Sequence, residues 1–262
     1  MDGLFVIGGI VFILACLLFV CTLNGNNEQV NLDFDKLNMR EITIEAKDGL
    51  NIAVEFYSPK VEGKYPAILL LHMLGKDKAS WNKLIPELLD NGFVVYSADL
   101  RGHGRSVRMK NGKEVFYQNM NENDWNKIPE DVIDLVDFIS QDKFVDSEQI
   151  GIAGASIGAN AAIICASRYQ NKVKTVIALS PGLNYRGLEI LEPAKNLKVP
   201  ILMVAGSGDK YAYESSNQLN EVVKTIHDLL IYDNKEHGTN LLIYSEGLQK
   251  KVVNWLNEYL KK

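Results

Sequence analysis

The chain has little cysteine and no surplus of positive charge, and each shortage narrows what it can be. Three cysteines cannot frame a disulfide scaffold: Cys16 and Cys21 lie in an apolar leader, so Cys165 stands alone in the rest and a bridge within the folded domain is excluded. Lys and Arg number 28 against 33 Asp and Glu, a net charge of −5, which leaves no basic surface of the kind a phosphate backbone requires. Nucleic acid is not expected as a partner. No internal repeat is present, and none of the four histidines shares a helix face with a carboxylate or cysteine at metal-ligand spacing, so neither a metal nor a zinc-hydrolase chemistry is expected. What the 262 residues do have is globular composition, 47% hydrophobic and 23% charged, which suits one domain with a substantial core and excludes a disordered or collagenous chain.

From Leu4 to Leu23 there are 20 residues without a charge. As a helix rising about 1.5 Å per residue this run just crosses a hydrocarbon core of roughly 30 Å, so it reads as a transmembrane or signal helix. The chain opens Met1-Asp2-Gly3 without the basic start of a secretory signal, and its first basic residues, Lys36 and Arg40, follow the run. Orientation therefore stays open. Ile13-Leu14-Ala15-Cys16 loosely resembles a lipoprotein processing box, which keeps Cys16 as an alternative anchor. The reading adopted is an uncleaved membrane anchor at 1–23, a linker at 24–38 and a folded domain at 39–262.

Beyond Met39, short β-branched runs alternate with helical patterns, the signature of strands joined by crossover helices in a mostly parallel sheet. Arg40–Ala46 and Asn51–Tyr57 read as an antiparallel hairpin around Lys47-Asp48-Gly49. The remaining strands are Ala67–Leu71, Val94–Ala98, Ile150–Gly154, Val173–Leu179, Ile201–Ala205 and Asp228–Tyr232, eight in all. Several are continuous Val, Ile, Leu and Ala runs, as expected where helices cover both faces. Trp81–Asn91, Glu130–Ser140, Ile157–Arg168, Glu214–Lys224 and Leu242–Leu260 carry apolar residues at three- and four-residue spacing and read as helices. Residues 105–127 are polar and strandless, a long loop near the strand ends.

The sharpest local signal is Gly154-Ala155-Ser156-Ile157-Gly158, between a strand and a helical run. A serine on so tight a turn is held at strained backbone angles, and side chains two residues to either side would collide, so glycine at 154 and 158 removes both Cβ atoms. The hydroxyl then projects into the open. The helix starting at Ile157 aims unpaired N–H groups and the positive end of its dipole at the place where an oxyanion would form. A phosphate-binding turn would share the glycines. A serine nucleophile needs three further residues, and the chain supplies them.

On these motifs the chain resembles the α/β-hydrolase superfamily over nearly all of 39–262. Leu71-His72-Met73-Leu74-Gly75 ends the third strand, where the superfamily places its oxyanion loop, and Asp99-Leu100-Arg101-Gly102-His103-Gly104-Arg105-Ser106 ends the fourth. The Ser156 turn ends the fifth. Gly206-Ser207-Gly208-Asp209 follows the seventh and Glu236-His237-Gly238 the eighth, so Ser156, Asp209 and His237 stand in the superfamily's triad order. The resemblance implies Ser156 as nucleophile, His237 as base, Asp209 as its orienting acid, and the backbone amides of Met73 and Ile157 as oxyanion donors. An imidazole, with a reference pKa of about 6.5, suits the task of activating a hydroxyl at neutral pH. Met73 departs from the glycine common at its position; a backbone donor survives, while the side chain makes the acyl side narrower and more apolar.

The competing residues have structural readings. His72 ends a buried strand and is expected to hydrogen-bond loop backbone; His103 sits in a glycine-rich turn and braces it; His227 starts the last strand with no loop to carry it to Ser156. Asp233 and Glu236 are close to His237 along the chain, but a neighbour in an extended loop points away, whereas a loop after the adjacent strand can face it. Asp99 caps its own turn, and Cys165 is a small core side chain.

The activity implied is a membrane-tethered serine hydrolase that cleaves small carboxylic esters through an acyl-enzyme and needs no cofactor. Only 180–200 is available for a cap, so the cap is small: Gly187-Leu188-Glu189-Ile190-Leu191 is expected to form a short helix, giving with Tyr185, Leu188 and Met73 a shallow apolar acyl site for short or medium chains. An aminopeptidase-like peptidase or a thioesterase on the same fold shares the triad and differs in the pocket. A catalytically silent, tethered binding module is the reading from another class.

Overall fold

The computed structural model describes residues 37–261, which lie in one compact unit. The expected membrane segment at 4–23 and most of the linker lie outside the described residues. Among the described residues no helix is long and apolar enough to cross a membrane.

The chain opens with β1 (Leu37–Glu45) and β2 (Asn51–Pro59), paired antiparallel from Leu37 opposite Pro59 to Glu45 opposite Asn51. This is the expected hairpin, two to three residues longer at its open end, with Gly49 at φ 87 in the turn. There follow β3 (Tyr65–Leu71), α1 (Ile85–Asp90), β4 (Val94–Ala98), α2 (Glu122–Trp125), α3 (Ile128–Ile139), β5 (Val145–Ala155) and α4 (Ile157–Arg168). Then come β6 (Val173–Leu179), β7 (Asn184–Tyr185), β8 (Leu188–Glu189), α5 (Leu191–Asn196), β9 (Ile201–Gly206) and α6 (Lys210–Val222). The chain closes with β10 (His227–Tyr232), α7 (Leu241–Tyr244) and α8 (Leu248–Leu260).

All eight expected strands join one sheet in the order β1-β2-β4-β3-β5-β6-β9-β10. β2 runs antiparallel to β1 and β4; every other neighbouring pair is parallel. The continuous apolar runs are explained by burial on both faces. In β3, Ala67, Leu69 and Leu71 enter one core with α3, α4 and α5, while Ile68 and Leu70 enter a second with α1, α7 and α8.

Three expectations are corrected. The cap segment contains no helix at 187–191; residues 184–189 form the two-stranded ribbon β7–β8, and the helix starts at Leu191. The long helix at 242–260 is two, because Gly247 takes φ 71 and interrupts it. Helix α6 begins at Lys210, not Glu214: its buried face is Ala212, Ser215, Ser216 and Leu219, and the two serines hide the apolar spacing. The 105–127 loop carries no strand, as expected, and holds an isolated bridge between Arg108 and Glu114 and the short helix α2.

Candidate active site

Because β3, β5, β6, β9 and β10 are adjacent and parallel, their carboxyl ends share one rim of the sheet, and every motif residue sits on a loop leaving that rim. At the end of β5, Ser156 has φ 53 and ψ −117, a conformation L residues rarely adopt. Two glycines permit it. A Cβ on Gly154 would come within 2.2 Å of the Gly158 carbonyl oxygen, and one on Gly158 within 2.4 Å of the Leu71 carbonyl oxygen. The second contact was not foreseen: Gly158 lets α4 settle against the end of β3, bringing the Ser156 turn beside the loop that carries Met73.

His72 holds that loop. Its ring is fully buried, Nε2 accepts the Leu100 N–H at 2.9 Å, and Nδ1 therefore carries the proton and donates to the Met73 carbonyl at 2.8 Å. Burial pushes its pKa down to about 4. The backbone N–H groups of Met73 and Ile157 have no hydrogen-bond acceptor among the described residues. His103 braces the next loop as expected: Nδ1 meets the Arg101 carbonyl at 2.9 Å and the ring stacks on Tyr117. The Asp99 carboxylate is likewise structural, accepting from the Lys78 and Arg105 N–H groups and from Lys78 Nζ.

Asp209 occupies the N-cap position of α6, yet its carboxylate does not cap the helix. It reaches Nδ1 of His237 at 2.6 Å instead. A carboxylate only accepts, so Nδ1 bears the proton and Nε2 is left with a free lone pair, the tautomer a general base needs. The two loops are laced together first. Ser207 N–H donates to the Tyr232 carbonyl and Gly208 N–H to that of Asn234, both at 2.8 Å, and a Cβ on Gly206 would lie 2.7 Å from the Asn234 carbonyl oxygen. Asp233 instead accepts from Ser207 Oγ, and the Glu236 carboxylate has no hydrogen bond to His237. His227 stays at the sheet edge, bonded to the Thr225 carbonyl.

Ser156, His237, Met73 and Ile157 line one cavity of about 410 Å³, and Tyr185 lines it with them. Ser156 Oγ and His237 make no direct hydrogen bond among the described contacts. The Tyr185 ring stands edge-on to His237, with centroids 6.2 Å apart, and its hydroxyl lies near the Ser180 carbonyl oxygen at 3.4 Å. Burial and then the charge of Asp209 push the Tyr185 phenol pKa up, while the Ser156 hydroxyl opposes the shift. The expected role of Leu188 is not met: it is 2% exposed, belongs to the core, and does not line the cavity. As the inward residue of a two-residue strand it points at α4, and the cavity wall is made by Leu74, Asn184 and Arg186 instead.

Two positioning residues were missed. Asn160, fully buried on α4, donates from Nδ2 to the carbonyls of Gly182 and Leu188, each at 2.7 Å, and accepts from Gly182 N–H at 3.2 Å. It ties the ribbon carrying Tyr185 to the helix carrying Ser156; a polar residue in the buried stripe of an otherwise small, apolar helix is the signal that could have found it. Ser180, at φ 52, accepts the Gly238 N–H at 2.9 Å. Among the described residues no group of three His, Cys, Asp or Glu side chains is placed to hold a metal ion. Cys165 is buried inside α4, as expected.

A family model described as "Serine aminopeptidase, S33" matches residues 64–188, and solved structures match the sheet and its helices across most of the chain. This chain has the α/β-hydrolase fold. Among the solved structures similar to it is an acetyl xylan esterase from Paenibacillus sp. R4, with a TM-score of 0.72 at 14% identity, covering 88% of this chain and 86% of that one. Curated relatives include an uncharacterized protein of Mycobacterium tuberculosis, 29% identical over 124 residues, which are 47% of this chain and 31% of that protein. Another is the 2-(acetamidomethylene)succinate hydrolase of Mesorhizobium japonicum, 25% identical over 137 residues, 52% of this chain and 43% of that enzyme. The chain thus spans less than half the length of these relatives. The family match ends before Asp209 and His237, so the placement of those two rests on the geometry above.

Proposed function

We propose that the protein is a serine hydrolase that cleaves carboxylic esters through an acyl-enzyme, with Ser156 as nucleophile, His237 as general base and Asp209 as the carboxylate that orients it. The observation that carries this is the 2.6 Å Asp209–His237 contact beside a serine held at φ 53 in the same cavity. Ser156 Oγ adds to the ester carbonyl as its proton passes to His237 Nε2; the oxyanion is taken up by the Met73 and Ile157 amides; His237 returns the proton to the departing alkoxide. Water repeats the sequence on the acyl-enzyme and frees the acid. Each oxyanion donor contributes on the order of 3 kcal/mol in enzymes of this kind.

The description of the matching family favours a second reading, release of amino-terminal residues from peptides. Against it stands the cavity wall, which offers no Asp or Glu to receive a substrate ammonium. The apolar run at 4–23 is proposed to tether the domain to a membrane, which membrane fractionation of the full chain would test. A panel of p-nitrophenyl esters and aminoacyl p-nitroanilides, given to the full-length protein and its Ser156→Ala variant, separates the readings. Ester turnover abolished by the variant is the expected result; activity that persists in it rejects the mechanism, and anilide cleavage without ester cleavage supports the peptidase.

A further inference from the structure

The ribbon β7–β8 pairs Tyr185 with Leu188, leaving Arg186 and Gly187 as a two-residue turn with φ 56 and φ 90. Positive φ at both central positions is the type I′ pattern, in which the first position is favoured by Asn, Asp or Gly because other side chains crowd the backbone. Arginine there is a local misfit at the mouth of the candidate site. Nothing in the fold of the ribbon calls for it: among the described residues its guanidinium forms no ion pair with a carboxylate, and Glu122 of the nearby α2, whose Cγ lies 3.9 Å from where a Cβ on Gly187 would stand, is not paired to it. The guanidinium carbon lies 5.5 Å from the centroid of the Trp125 ring, a contact that steadies the cation without neutralising it.

Arg186 lines the same cavity as Ser156 and His237, the remaining wall is apolar or uncharged, and Asp209 is engaged by the imidazole. An unpaired cation beside a largely apolar site, held in place at the expense of backbone strain, fits an anionic ligand. Resting on the ester-hydrolase reading above, we propose that Arg186 is a specificity residue and that the substrate is an acid ester, a hemiester of a dicarboxylic acid whose free carboxylate pairs with the guanidinium while its ester carbonyl meets Ser156. The planar fork of arginine takes a carboxylate through two parallel N–H···O bonds, and a neutral ester of the same length gains nothing from it.

The test measures binding apart from turnover. Full-length Ser156→Ala protein is titrated calorimetrically with monoethyl succinate, monoethyl glutarate and diethyl glutarate, before and after adding Arg186→Asn. Asparagine is the residue the turn favours, so the second change does not lower Tm, and unfolding cannot account for lost binding. The expected result is a hemiester bound at least tenfold more tightly than the diester, with the preference gone in the double variant that carries both Ser156→Ala and Arg186→Asn. A diester bound as tightly, a preference that survives Arg186→Asn, or no binding of any of the three overturns the proposal. Turnover of the same hemiesters by the unaltered protein tests the hydrolase reading separately: tight hemiester binding without turnover rejects that reading and leaves the anion site standing.

Discussion

Ser180 Oγ accepts the backbone N–H of Gly238 at 2.9 Å, joining the end of β6 to the loop that presents His237. Both residues sit at positive φ, 52 and 58, and Gly238 has no room for a side chain because a Cβ there would lie 2.5 Å from Met73 Sδ. The imidazole is therefore located by three neighbours: Asp209 through its ring, Ser180 through the next peptide, and Met73 beneath that peptide. None of the three contacts is local in sequence.

Ser180→Ala removes that acceptor and leaves a buried N–H unsatisfied, at a cost of about 1–3 kcal/mol. Tm should fall by several degrees, and kcat on a p-nitrophenyl ester by about tenfold, equivalent to about 1.4 kcal/mol, with little change in KM because the cavity walls are untouched. An unchanged kcat with a lowered Tm would show that Ser180 supports the fold alone.

Asp209→Asn keeps the volume of the side chain and replaces the acceptor that selects the Nδ1–H tautomer. With the proposed roles, kcat is expected to fall by roughly a thousandfold or more while the protein still folds, since the carboxylate does not cap α6. Steady-state kinetics and a melting curve on the same preparation check both parts.

His72 links stability to pH. Buried and neutral, with its pKa pushed down to about 4 against an ordinary value near 6.5, it binds fewer protons folded than unfolded between those limits. Unfolding is then favoured by acid: stability is full above about 6.5 and declines as pH falls toward 4, by on the order of 3 kcal/mol in total. Burial lowers the pKa of His103 as well, and its ring lies 5.0 Å from that of His72, so it adds in the same direction. Tm recorded from pH 7 to 4.5 should drop more steeply for the native chain than for His72→Asn; parallel curves would show that His72 does not titrate in this way.

Much of this is legible in the sequence because the informative residues are ones whose backbone demands are severe. Gly154 and Gly158 announce the Ser156 turn, and unbroken Val, Ile and Leu runs announce strands buried on both faces. Residues chosen for a long-range contact give no such sign. Ser180 looks like any loop serine, and Leu188 looks like a pocket residue until the pairing of Asn184 with Glu189 turns it to the core. The ribbon itself has strands of two residues, too short for any periodicity.

The amino-acid sequence by itself determined the eight strands, the order in which serine, aspartate and histidine follow them, and the glycines without which the turn at Ser156 could not close. These are properties of local sterics and of hydrophobic pattern, written residue by residue. Tertiary structure alone decided that Asp209, not Asp233 or Glu236, meets His237, that Asn160 and Ser180 hold the loops, and that Arg186 faces the cavity. Those outcomes depend on which strands lie side by side at the rim, and adjacency in a sheet is a global property that no short stretch of chain carries.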